Sequence, residues 1–114
     1  MKSEFRFTRQ GLRSRYDVTV RLVAGQANEF SARLDPTLST AIAPSNLQAV
    51  LLGVHSAYAA AALEVPLAVT IVDVIDHSGE TGELGFKTCG EGAMYHLLEL
   101  PEKAPFPGHA PGEA

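Results

Sequence analysis

Phe5 and Phe7 alternate with Arg6 and Thr8, the period-two pattern of an extended chain with one apolar side, and predict a short first strand. From Arg15 to Val23 the alternation is longer. Tyr16, Val18, Val20 and Leu22 fall on one side, Arg15, Asp17, Thr19 and Arg21 on the other. Turn residues over 24–28 separate this strand from Phe30, Ala32 and Leu34, which alternate with Ser31 and Arg33. Residues 15–34 therefore read as a hairpin, ended by Asp35-Pro36.

The period changes after Pro44. Leu47, Val50, Leu51, Val54, Tyr58, Ala61 and Ala62 recur at steps of three and four, one apolar stripe of a helix. Ser45 and Gln48 have capping-box spacing at its start, and the alanine run 59–62 is expected to let it lie close against a sheet. Val65-Pro66 ends the helix, and Leu67–Ile75 (LAVTIVDVI) is β-branched and apolar on both sides. A turn-rich loop, His77 to Gly82, leads to a second helix ending at Leu98 and carrying Phe86, Cys89, Ala93, Met94 and Leu97. Gly90 and Gly92 weaken this helix by roughly 1 kcal/mol each relative to alanine, which implies that its backbone packs tightly on something.

The order is three strands, a helix, a strand and a helix, and neither helix has enough apolar surface for a core of its own. This predicts an α+β two-layer α/β sandwich, β3-α-β-α, a four-stranded sheet with two helices on one face. A chain of 114 residues has room for one domain, expected over 1–100. The Pro- and Gly-rich residues 101–114 are expected to form a flexible tail.

Composition narrows the function classes. A hydrophobic fraction of 46% with 19% charged residues fits a folded globular chain. No run of apolar residues is long enough for a membrane span, and residues 1–4 lead into a strand without the apolar stretch of a signal peptide, so a cytoplasmic location is expected. A single cysteine, Cys89, excludes an intrachain disulfide and offers no partner for a zinc or redox motif. His55, His77, His96 and His109 show no metal-ligand spacing, so no metal and no cofactor are expected. Residues 1–33 carry a net charge of +4 and the remainder −8. Such asymmetry serves an anionic partner or pairs internally on folding.

Three stretches resemble domain IV of translation elongation factor G, of the ribosomal protein S5 domain 2-like superfamily. Gly11 to Val20 (GLRSRYDVTV) is similar to the family's GGRGQYGHV, and Pro44 to Tyr58 (PSNLQAVLLGVHSAY) to its IPxxYIPAVxxGIxEAL helix. Phe86-Lys87 with Ala93 matches the start of its SSExAFKxAAxxAF helix, with Pro66 and Asp76 at the ends of the strand before it. The resemblance covers roughly residues 5–99, here as a standalone domain. It implies the same sandwich with a left-handed crossover, no GTPase site, and loop tips that touch RNA on the ribosome. No GxxxxGK[ST] motif occurs, so no GTP is expected on this chain.

The candidate RNA- or ribosome-binding residues are Arg9, Arg13, Arg15, His77 and Ser78. The loops that carry them depart from the family pattern: 76–83 is shorter and more acidic, and 9–12 is trimmed. Aligning on Pro66 and Asp76 turns Thr70, Val72 and Val74 toward the helices, and puts Val69, Ile71 and Ile75 on the other face. Burying each is worth roughly 1.5–3 kcal/mol, so they are candidate interface residues for a homodimer or another protein partner. A slip of one residue in the alignment, or cover from the tail through Phe106, are the alternatives. No catalytic residue is expected. His77 beside Asp76 and Ser78 reads as a polar turn, and Cys89 as a small buried filler.

Overall fold

A computed structural model describes residues 1–38 and 41–100, so the expected tail over 101–114, with Phe106 and His109, lies outside the described residues. The elements are β1 (Lys2–Gln10), β2 (Arg15–Gln26), β3 (Ser31–Leu34), α1 (Pro44–Ala61), β4 (Leu67–Asp76) and α2 (Glu83–Leu97). They form the expected two-layer α/β sandwich. Both helices pack on the sheet face lined by Phe7, Val18, Val20 and Leu22, and the whole is 18 Å in its shortest dimension. Among the described residues no helix is long and apolar enough to cross a membrane.

The sheet order is β1-β2-β4-β3. The expected hairpin over 15–34 does not form, because β4 runs between β2 and β3, antiparallel to the first and parallel to the second. Chain neighbours are separated here by the strand that most needs burial. Leu67, Val69, Ile71 and Val74 of β4 are 6% exposed or less, and a central place satisfies the ladder on both sides of such a strand. The hairpin that exists is β1–β2, joined by residues 11–14 and paired from Lys2↔Val23 to Gln10↔Arg15.

The proposed apolar back of the sheet is also corrected. Arg21 pairs with Asp73 but Leu22 with Ile71, which leaves Val72 as an extra residue in β4. This bulge resets the alternation. Val69 and Ile71, expected on the outer face, are 1% and 0% exposed beneath the helices. Of Thr70, Val72 and Val74, only Val74 is fully buried. Ile75 does sit on the open face, opposite Thr19, but its neighbours there are charged: Glu4, Arg21 and Asp73 form one ion-pair row, Arg21 lying 2.8 Å from Asp73 and 3.4 Å from Glu4. With the basic residue supplied by β2 and one acid from each flanking strand, part of the sequence's charge asymmetry pairs internally.

Pro44 at the first helical position, with Ala43 as cap, starts α1 one residue before the expected Ser45 cap, and no side chain caps it. A proline suits that position, since its missing N–H has no partner in the first turn anyway. The alanine run does not face the sheet. Ala59, Ala60 and Ala62 are exposed, and the close contact is made by Gly53. A methyl group there would overlap the Lys87 carbonyl oxygen of α2 and stand 3.0 Å from Glu91 N. A methyl group at Gly90 would overlap the Val50 carbonyl oxygen, 3.1 Å from its carbon. The two helices thus cross backbone to backbone at Gly53 and Gly90, and Gly92 makes room for the Phe5 ring.

Candidate functional site

Because β4 runs antiparallel to β2, its C-terminal end lies beside the N-terminal end of β2, with Val18 opposite Asp76. The β1–β2 loop and the β4–α2 loop therefore occupy the same end of the molecule. Asp17 joins them. Its backbone C=O accepts from His77 N–H at 2.7 Å and its N–H donates to Thr81 Oγ1 at 3.1 Å, so the β4–α2 loop continues the ladder past the last strand pair. Its carboxylate, almost fully buried, receives Arg6 in a two-pronged bond, Nε to Oδ1 at 2.8 Å and Nη2 to Oδ2 at 2.7 Å, with Arg15 Nη2 at 3.9 Å. The hydrogen bonds from Arg6 hold the Asp17 carboxyl below the usual aspartate range, against the opposing effect of burial.

The β4–α2 loop is shaped by its own side chains. Asp76 Oδ1 accepts from Ser78 Oγ at 3.1 Å, Gly79 N–H at 3.1 Å and Thr81 Oγ1 at 2.8 Å, and Glu80 N–H donates to Ser78 Oγ at 3.1 Å. Gly79 takes φ +72°, a conformation that glycine adopts without cost. On the open face His77 Nε2 lies 2.9 Å from Thr19 Oγ1. Across from it, Gly11 N–H donates to Ser14 O at 2.8 Å and closes the β1–β2 turn, whose tip residue Leu12 is fully exposed.

The expected site residues are thus brought to one end, in different conditions. Arg9 and Arg13 are exposed, and among the described residues neither makes an ion pair. Arg15 lies at the margin of an ion pair with Asp17. Ser78 is committed to its loop and His77 to Thr19. A shallow cleft of about 220 Å³ opens between Thr8, Arg9, Gln10, Arg15, Tyr16 and Asp17. One limb of this end is basic through Arg9, Arg13 and Arg15, the other acidic through Asp76, Glu80 and Glu83. Asp17, Arg6, Thr19 and Thr81 form the frame of the site and were not singled out by sequence. Their signal was the polar side of the β2 alternation, which becomes readable once β1 and β2 are taken as the hairpin and Arg6 falls opposite Thr19.

Cys89 is buried, its thiol 3.2 Å from Phe5 O and 3.4 Å from Val18 O, in the middle of the core. Among the described residues no three His, Cys, Asp or Glu side chains stand in an arrangement that could hold a metal ion.

No protein-family model matches the sequence, and no curated protein does. Among solved structures the chain is similar to a crystal structure of a protein from Thermus thermophilus, with a TM-score of 0.62 and 17% sequence identity over 82% of this chain. At that identity the likeness carries the fold. This chain spans 14% of the length of the Thermus chain, which therefore contains the fold as one part of a much longer protein.

Proposed function

We propose that this chain is a non-catalytic binding module that works through the end of the sheet carrying the β1–β2 and β4–α2 loops, and that its partner is the ribosome or a structured RNA, in the cytoplasm. The observation that carries the reading is the frame around Asp17: its main-chain bonds to His77 and Thr81 hold the β4–α2 loop against the strand that follows the β1–β2 loop, and Arg9 and Arg13 stand exposed at the same end with their charges unpaired among the described residues. Exposed guanidinium groups on a rigid support suit phosphate contact, since the cost of ordering the loops has already been met by the fold. The resemblance to domain IV of elongation factor G supports the same surface, because in that family the two loop tips meet RNA. The Thermus neighbour is compatible with a fold used as one unit of a longer protein. The reading requires no cofactor.

An apolar interaction surface on the sheet back is not retained, since Val69 and Ile71 belong to the core. The test is binding to ribosomes and to structured RNA across a salt series. Affinity should fall with salt, with a slope near 0.7–0.9 per phosphate contact. Arg9→Glu with Arg13→Glu should abolish binding while leaving the fold intact, both positions being exposed. Absence of any binding at low salt overturns the reading.

A further inference from the structure

β1 is an edge strand, paired with β2 on one side only. The reciprocal bonds between Met1 and Ala24, Ala24 N–H to Met1 O at 2.9 Å and the Met1 amino group to Ala24 O at 3.1 Å, fix the parity of that ladder. Along the unbroken register, Ser3, Phe5, Phe7 and Arg9 then direct their backbone groups at β2. Lys2, Glu4, Arg6 and Thr8 direct theirs outward. His96 agrees with this parity: its Nδ1 lies 3.1 Å from the outward Glu4 carbonyl, which retains a second lone pair for another donor.

We propose that this edge pairs with the same edge of a second copy of the chain, antiparallel about a two-fold axis at Phe5, to give one continuous eight-stranded sheet. Charge selects both the partner and the register. With the axis at Phe5, Glu4 of each copy stands opposite Arg6 of the other, and Lys2 opposite Thr8. With the axis at Arg6, two guanidinium groups face each other, and with the axis at Phe7 no charges are matched. Of the registers that oppose Glu4 to a cation, the Phe5 one has the longest overlap. Glu4 and Arg6 are 60% and 57% exposed as side chains, so each can take a partner besides Arg21 and Asp17; a guanidinium has donors for both. On the helix side, Phe5 is only half-buried against Gly92, and the axis places its open part against its own copy. An isologous contact of this kind closes on itself and stops at two chains.

Sedimentation over a concentration series tests the pairing. The mass should rise from 12.1 kDa to twice that value, and the amide of Thr8 should gain protection from hydrogen exchange as the dimer forms. Thr8→Pro removes an outward N–H and no bond to β2, so it should leave circular dichroism and melting unchanged and the chain monomeric. Glu4→Arg sets like charges face to face and should raise the dissociation constant at least tenfold. A chain that stays at 12.1 kDa throughout the series overturns the proposal. So does a Thr8→Pro variant that dimerises as tightly as the parent.

Discussion

Replacing Gly53 or Gly90 by alanine sets two effects of opposite sign against each other. In a helix interior, alanine is favoured over glycine by about 0.8–1.0 kcal/mol, so helix propensity alone predicts a more stable protein. The crossing predicts the reverse. A methyl group at Gly53 overlaps the Lys87 carbonyl oxygen and lies 3.0 Å from both Lys87 C and Glu91 N; at Gly90 it overlaps the Val50 carbonyl oxygen and lies 3.2 Å from its Cα. All of these obstacles are backbone, which has no rotamer to yield, so the helices must separate and loosen Val50, Val54, Cys89 and Met94 around the crossing, all of them fully buried. Overpacking of this kind costs about 1–3 kcal/mol, and more where nothing can move. Because every obstacle is backbone, the upper end of that range applies, about 3 kcal/mol; net of propensity each substitution should destabilise by about 2 kcal/mol, which for a domain near this size lowers Tm by roughly 8–16 °C. Gly25, whose added methyl group meets nothing within 4 Å, serves as the control and should change Tm little when made alanine. Gly92 should fall between, since its obstacle is the Phe5 ring, which can turn. Thermal denaturation of the four variants is the assay. A Gly53→Ala or Gly90→Ala protein that melts at or above the parent temperature would refute the reasoning.

Two further outcomes concern acids. Burial raises the Glu91 pKa above the ordinary glutamate range, only partly offset by Lys87 at 3.9 Å, so its ionisation opposes folding at neutral pH; Glu91→Gln should be more stable than the parent at pH 7 and lose that advantage below about pH 4, in denaturant titrations at a series of pH values. Asp17 has the opposite sign, its pKa lowered by Arg6. Its contribution is complete above the ordinary aspartate range near pH 4 and is lost as the pH falls through the depressed value, so Asp17→Asn should be less stable at pH 7 and should flatten the acid limb of the stability profile.

The helices and β2 were legible because each has a single apolar side with a clear period. Pairing was not. The 24–28 turn residues look the same whether the strands on either side are adjacent or one strand apart, as they are here with β4 between β2 and β3. A signal did exist in LAVTIVDVI: a strand apolar on both sides belongs in the centre of a sheet, so β4 had to be inserted between two of the earlier strands. The same run hides the bulge at Val72, because a sequence apolar at nearly every position has no phase from which a slip can be noticed. The charged end of the site was legible as Arg9, Arg13 and Arg15. Its frame was not, because the Asp17 bonds to Arg6 and Thr81 depend on register and on a loop 64 residues away.

The position of β4 also bears on how the chain folds. Its ladder partner β2 is complete at residue 26, whereas β4 does not begin until residue 67. At a synthesis rate of about 5–20 residues per second, the inner edge of β2 waits for several seconds with its amides open. During that interval the β1–β2 hairpin has neither its central strand nor α2 above it, and isolated hairpins are marginal in water. Closure of the sheet is therefore the slow, non-local step, and substitutions in β4 should change the folding rate more than those in α1.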